Sequence, residues 1–110
     1  MNAQFKKGVL ELVVMSIIQN GDAYGYSLIK KISDRINISE GTVYPILRKL
    51  VKEGHLTTYF QESNEGPARK YYSLTDSGRD QYELLASEWE EFAAIVQFFI
   101  NKKGDSDEAR

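Results

Sequence analysis

The chain has 110 residues, 42% of them apolar and 27% charged, with a net charge of −2, which allows one modest core and not two independent ones. With no cysteine and a single histidine, His55, it lacks disulfides, thiolate chemistry and the usual ligands of a zinc site, and no cofactor is expected. The start carries no signal-like apolar segment and no apolar run approaches the roughly 20 residues that span a bilayer, so a soluble cytoplasmic protein is expected.

Val9, Leu10, Val13, Val14, Ile17 and Ile18 recur at helical spacing from Lys7 to about Gln19, with Gly21 as terminator. Leu12 and Met15 fall outside that stripe, so this first helix is apolar over more of its circumference than a surface helix needs and predicts burial on two sides. Tyr24-Gly25-Tyr26 opens a second, short helix whose stripe is Leu28, Ile29, Ile32 and Ile36, with Lys30, Lys31 and Arg35 on the wet face. Asn37-Ile38 then leads to Ser39, a good cap residue, and Ile38 is placed to staple onto Val43. Two short helices joined this tightly predict a helix-turn-helix.

In the third helix Val43, Ile46, Leu47, Leu50 and Val51 form the apolar face, and Gly54 ends it. Pro45 is the irregularity. If Ser39 is the cap, the proline removes a backbone bond and crowds the carbonyl of Gly41, at up to ~3 kcal/mol; if Thr42 is the cap, Pro45 falls in the first turn, where its missing N–H is harmless. Beyond Gly54, "HLTTYFQE" alternates as a strand, "RKYYSL" is its match, and "SNEGPA" is the turn-forming loop between them. Two strands alone are marginal, so the hairpin must pack on the helices as a wing. Thr75 caps a last helix running from about Asp76 to Lys102, in which Tyr82, Leu85, Trp89, Phe92, Val96 and Phe99 repeat in alternating steps of three and four. At roughly 40 Å it is longer than this core can cover, and the surplus predicts a partner chain.

The fold expected is mainly α with a small β-hairpin: a winged helix-turn-helix over residues 1–75, a dimerisation helix over 76–103, and a disordered tail over 104–110. Charge follows that division. Residues 1–75 carry ten Lys and Arg against seven Asp and Glu, and residues 76–110 four against nine, so a basic front precedes an acidic helix. Positive charge on the third helix and on the wing suits two neighbouring stretches of DNA backbone. Ser39, Thr42 and Tyr44 are placed to reach base edges and Arg48 guanine or phosphate, while Lys49, Arg69 and Lys70 are phosphate contacts. Thr42 as a cap and Tyr44 packed on the hairpin are the structural readings of those two residues.

Three strings, "LELVVMSIIQNGDAYGYSLIKKI", "SEGTVYPILRKLVKEGHL" and "GPARKYYSLTDSG", resemble successive signatures of the PadR family of bacterial winged-helix transcription regulators, across residues 5 to 103. The resemblance implies that Tyr44 and Pro45 belong to the DNA-reading element. It further implies a homodimer built on the single last helix, and a pocket for flat aromatic compounds beside Trp89. The wing departs from the family's usual pattern of extra arginines around its proline, since Gly66-Pro67-Ala68 precedes Arg69. Around Trp89, small Ala86 and Ala93 leave a gap, Leu12 and Met15 are candidates for the opposite wall, and Glu11 is a candidate partner for a cationic ligand. Trp89 as plain dimer core is the structural reading. The function expected is a DNA-binding regulator, a repressor, responsive to a planar aromatic or cationic effector. The alternative is a winged-helix module that binds protein through its tyrosine-rich wing and acidic helix. No nucleophile with a base, paired carboxylates or phosphate-cradling glycine loop supports an enzyme.

Overall fold

The computed structural model describes the backbone of residues 3–101 and the side chains of residues 8–101. In chain order it comprises α1 (Ala3–Gln19), β1 (Ala23–Tyr24), α2 (Gly25–Ser33), α3 (Glu40–Lys52), β2 (Leu56–Ser63), β3 (Gly66–Leu74) and α4 (Asp76–Ile100). The expected continuation of the last helix to Lys102 and Lys103, and the tail 104–110, lie outside the described residues.

The sequence places α1 at the centre of the molecule. Leu10, Val14, Met15 and Ile18 are buried, Val13 and Ile17 pack at the margin, and the helix touches α2, α3, β3 and α4. Burial on more than one side is what its broad apolar surface required. α1 begins at Ala3, earlier than the expected Lys7. In α2 only Leu28 and Ile32 of the apolar stripe are fully buried, and Ile36 lies past the helix end in the loop, packed against the core margin.

α3 starts at Ser39, whose carbonyl accepts from the Thr42 and Val43 amides at 3.0 and 3.4 Å while its hydroxyl makes no cap bond. Pro45 therefore stands inside the helix, and its ring faces the Gly41 carbonyl that would otherwise accept its N–H. Val43, Ile46, Leu47 and Leu50 are buried, whereas Val51 is exposed, contrary to its expected place on the inner face. Gly54, at φ +83°, closes the helix: its amide donates to Val51 and that of His55 to Leu50, at 3.0 and 2.9 Å, a Schellman ending that needs a left-handed residue.

The wing is a three-stranded antiparallel sheet in the order β1-β3-β2, with Tyr24 opposite Tyr71 and Leu56 opposite Leu74. The hairpin loop is tighter than "SNEGPA" suggests: Gly66, Pro67 and Ala68 belong to β3, Ser63 pairs with Gly66, and an irregularity in register falls between Gln61 and Ser63. Only the root of the wing, at Ala23, Leu56, Tyr72 and Leu74, joins the core.

α4 is joined to the corner between α3 and β2. The Thr75 amide donates to the His55 carbonyl (3.1 Å), its hydroxyl donates to the Gly54 carbonyl (2.6 Å) and accepts from the Gly78 amide (2.9 Å). His55 Nδ1 and Ser77 Oγ lie 3.0 Å apart across the same joint. Gly78 is buried there, and a Cβ at that position would overlap the His55 carbonyl oxygen. From this joint α4 runs outward. The radius of gyration is 17.5 Å and the extents 64 × 28 × 22 Å, against about 13 Å for a compact domain of this length.

Candidate nucleic-acid interface

The periodicity that buries Val43, Ile46, Leu47 and Leu50 turns Thr42, Pro45, Arg48, Lys49 and Lys52 to the opposite side of α3, where all are exposed, with Ser39 exposed at its cap. Tyr44 leaves this face. It is half-buried against the core margin, and its ring lies so close to the first turn of α2 that a Cβ on Gly25 would stand 2.8 Å from its phenol oxygen and 3.0 Å from a ring carbon. Glycine at position 25 is what admits the ring.

Tyr44 thereby closes one wall of a cleft of about 270 Å³ shared with Tyr24, Tyr26, Arg69, Lys70 and Tyr72. The cleft exists because β1 is only two residues long: β3 is paired by it at Tyr71 and Tyr72 and has an open edge beyond. Arg69 and Lys70, consecutive in the strand, point to opposite faces of it. The Arg69 guanidinium stacks 4.5 Å from the Tyr24 ring centre, and the Lys70 ammonium lies 5.7 Å from that of Tyr72. Burial pushes the Tyr72 phenol up from its ordinary pKa; Tyr44 adds to the shift and the Arg48 charge opposes it. Arg48 on α3 and Lys70 on the wing therefore both act on Tyr72.

The outer face of the wing carries a row of rings, Tyr24, Tyr71 and Tyr59, with centres 5.5 and 5.6 Å apart. Tyr59 donates to Asp22 Oδ2 at 2.7 Å, and this hydrogen bond holds its phenol above the ordinary pKa. The row braces the sheet under Arg69. Among the described residues Arg48 and Lys70 make no ion pair, and Arg69 makes only a long one, 3.9 Å to the exposed Glu65. Arg48, Arg69 and Lys70 are thus free of any close ion pair among the described residues.

Lys49 differs. Its ammonium donates to Glu11 Oε2 at 2.6 Å and lies 3.7 Å from Glu53 Oε2, and the Glu11 hydrogen bond raises its pKa above the ordinary lysine value. Glu11, expected beside a ligand, and Lys49, expected as a phosphate contact, are thus paired with each other, and Glu11 does not line the cleft beside Trp89.

A second cleft, of about 300 Å³, lies between α1 and α4 and is lined by Gly8, Val9, Leu12, Leu85, Glu88, Trp89 and Phe92. It brings Leu12 and Trp89 together as expected. Met15 is not in it, being fully buried in the core, and neither is Ala93, which is half-buried on α4 outside the lining. Its acid is Glu88. Glu88 was legible in principle: it stands three residues after Leu85 and four before Phe92, on the stripe that carries Trp89.

Of the helical seam, Tyr82 and Leu85 pack against their own core. Trp89 (40%), Phe92, Val96 and Phe99 (67%) are exposed, as are Leu84, Ile95, Phe98 and Ile100, which a strict heptad pattern omits. Among the described residues no cluster of His, Asp and Glu could hold a metal ion, and no helix is long and apolar enough to cross a membrane.

Residues 14–84 match the family described as transcriptional regulator PadR-like. A PadR-like transcriptional regulator from Bacillus cereus superposes with a TM-score of 0.81 at 35% identity, covering 90% of this chain and 98% of that one. An uncharacterised protein of Lysinibacillus sphaericus is 32% identical over 86% of this chain and 90% of its own length. The negative transcriptional regulator PadR of Bacillus subtilis is 28% identical over 66% of this chain, which spans only 42% of that regulator.

Proposed function

Because the chain belongs to the transcriptional regulator PadR-like family, whose members are transcriptional regulators and not enzymes, we propose that it works as a homodimer that binds a pseudo-palindromic operator in double-stranded DNA and represses transcription there. The observation that carries this reading is that Arg48 is exposed on the outer side of α3, while Arg69 and Lys70 of the wing share one cleft with Tyr44 of the same helix. A helix and a neighbouring hairpin that both carry exposed cations match two adjacent phosphate runs flanking a groove. α3 enters the major groove with Ser39, Thr42 and Pro45 foremost, and Tyr44 fixes the angle between α3, α2 and the wing. Repression is the sense assigned because the Bacillus subtilis relative is a negative regulator.

The exposed apolar half of α4 pairs with its two-fold copy and sets the two DNA heads about one helical turn, ~34 Å, apart. The α1–α4 cleft receives a planar aromatic compound with a cationic group: Trp89, Phe92 and Leu12 supply the walls and Glu88 the charge. Such a ligand changes DNA affinity by as much as its own affinity differs between the two dimer arrangements. The cytoplasm is where the protein meets its operator.

The test is ionic. Affinity for duplex DNA should fall linearly with the logarithm of salt concentration, and Arg48→Ala and Lys70→Ala should each flatten that slope by ~0.9 per protomer. Slopes identical to wild type in both variants would defeat the assignment.

A further inference from the structure

We propose that Glu11 withholds Lys49 from the DNA backbone, so that Lys49 is a positioning residue for α3 and neutralises no phosphate. This rests on the DNA-binding reading above. By exposure alone Lys49 resembles its neighbours: Thr42, Pro45, Arg48 and Lys52 are exposed on α3 as it is. Arg48 and Lys52 make no ion pair among the described residues, whereas Lys49 is held by α1 through Glu11 at 2.6 Å and faced by Glu53 at 3.7 Å.

The asymmetry of burial decides where the ammonium stays. The Lys49 side chain is 42% exposed but that of Glu11 only 14%. Handing Lys49 to a phosphate would strand a carboxylate that water reaches poorly and that no other cation contacts among the described residues; unpairing a partly buried charge costs more than the pair contributes when whole. A phosphate approaching Lys49 would also meet two carboxylates. Thirty-eight residues separate the partners in sequence, so the pair ties the groove-facing side of α3 to α1, the central helix of the core.

Four proteins test this: wild type, Lys49→Met, Glu11→Gln and the double variant. Their affinity for a fluorescein-labelled mixed-sequence duplex is followed by anisotropy across a salt series, with thermal melts to establish folding. Lys49→Met should leave the salt slope unchanged. Glu11→Gln should steepen it by ~0.9 per protomer as the freed ammonium takes up a phosphate, and the double variant should return to the wild-type slope. A merely structural pair would shift the melts without moving the slopes. The inference is overturned if Lys49→Met flattens the slope by ~0.9 per protomer, or if Glu11→Gln leaves it unmoved; should Glu11→Gln fail to fold, Lys49→Met alone decides. Absence of any salt-dependent duplex binding by the wild type defeats the DNA-binding reading itself, an outcome the wild-type curve alone identifies.

Discussion

If the chain pairs through α4 as proposed, Phe92→Ala should dissociate that dimer while sparing the fold of each protomer. Phe92 lies in the second half of α4 with 51% of its surface exposed. A phenylalanine presents about 200 Å² when free, so about 100 Å² is left for a partner to cover, or about 2.5 kcal/mol at ~25 cal/mol per Å². A two-fold interface counts the residue twice. Alanine retains its Cβ and the interface relaxes in part, leaving a loss of about 3–4 kcal/mol, which raises the dimer dissociation constant by roughly two to three orders of magnitude at 1.4 kcal/mol per tenfold. Sedimentation equilibrium over a concentration series reads this directly. Leu84→Ala, equally exposed but off the seam, is the control and should change the constant less than about threefold by the same reasoning. If Phe92→Ala also leaves the constant within that range, the exposed half of α4 is not held together through this seam.

Gly78→Ala should destabilise the fold by about 1–3 kcal/mol or more, since its methyl group would collide with backbone at the His55 carbonyl. Gly8→Ala, whose Cβ meets nothing within 4 Å, should instead stabilise by about 0.5–1 kcal/mol through helix propensity; urea melts compare the two, and equal effects would mean that α4 does not dock as described. Planar aromatic cations should quench Trp89 fluorescence saturably, and Glu88→Gln should weaken that binding; linear quenching, identical for neutral and cationic compounds, would remove the α1–α4 cleft as a ligand site. Tyr59 should ionise above the ordinary phenol value near 10, because its neutral O–H is the donor to Asp22. That bond is intact below the ordinary value and is lost as pH rises through the raised one. Asp22→Asn should bring the absorbance titration back toward 10, and superimposable curves would mean that the bond does not form.

What could be read from the sequence was what repeats along a single element. The 3.6-residue stripes of α1 and α3 and the three-four spacing of α4 are local signals, and they located the helices and the exposed cation Arg48. β1 escaped because two residues, Ala23 and Tyr24, are too few to show alternation; they are a strand only because Tyr71 and Tyr72 pair with them. Gly66 and Pro67 look like loop residues in the sequence because such residues usually punctuate strands, yet proline is tolerated at a strand edge or next to a register irregularity, where no amide is needed.

The misplaced residues of the clefts have one cause, rotational phase. Each step along α1 turns the side chain by about 100°. Leu12 lines the cleft toward α4, so Glu11, one residue earlier, is swung toward α3 and meets Lys49, while Met15, three residues later, points into the core. The amphipathic pattern of α1 says that most of its circumference is covered. It does not say by which neighbour, because that is set by how α3 and α4 pack on α1, through contacts between residues far apart in sequence. The acid of the cleft is accordingly decided by contacts far from it in sequence: Lys49 claims Glu11, and Glu88, on the stripe of α4 that faces α1, is the carboxylate left to line the space beside Trp89.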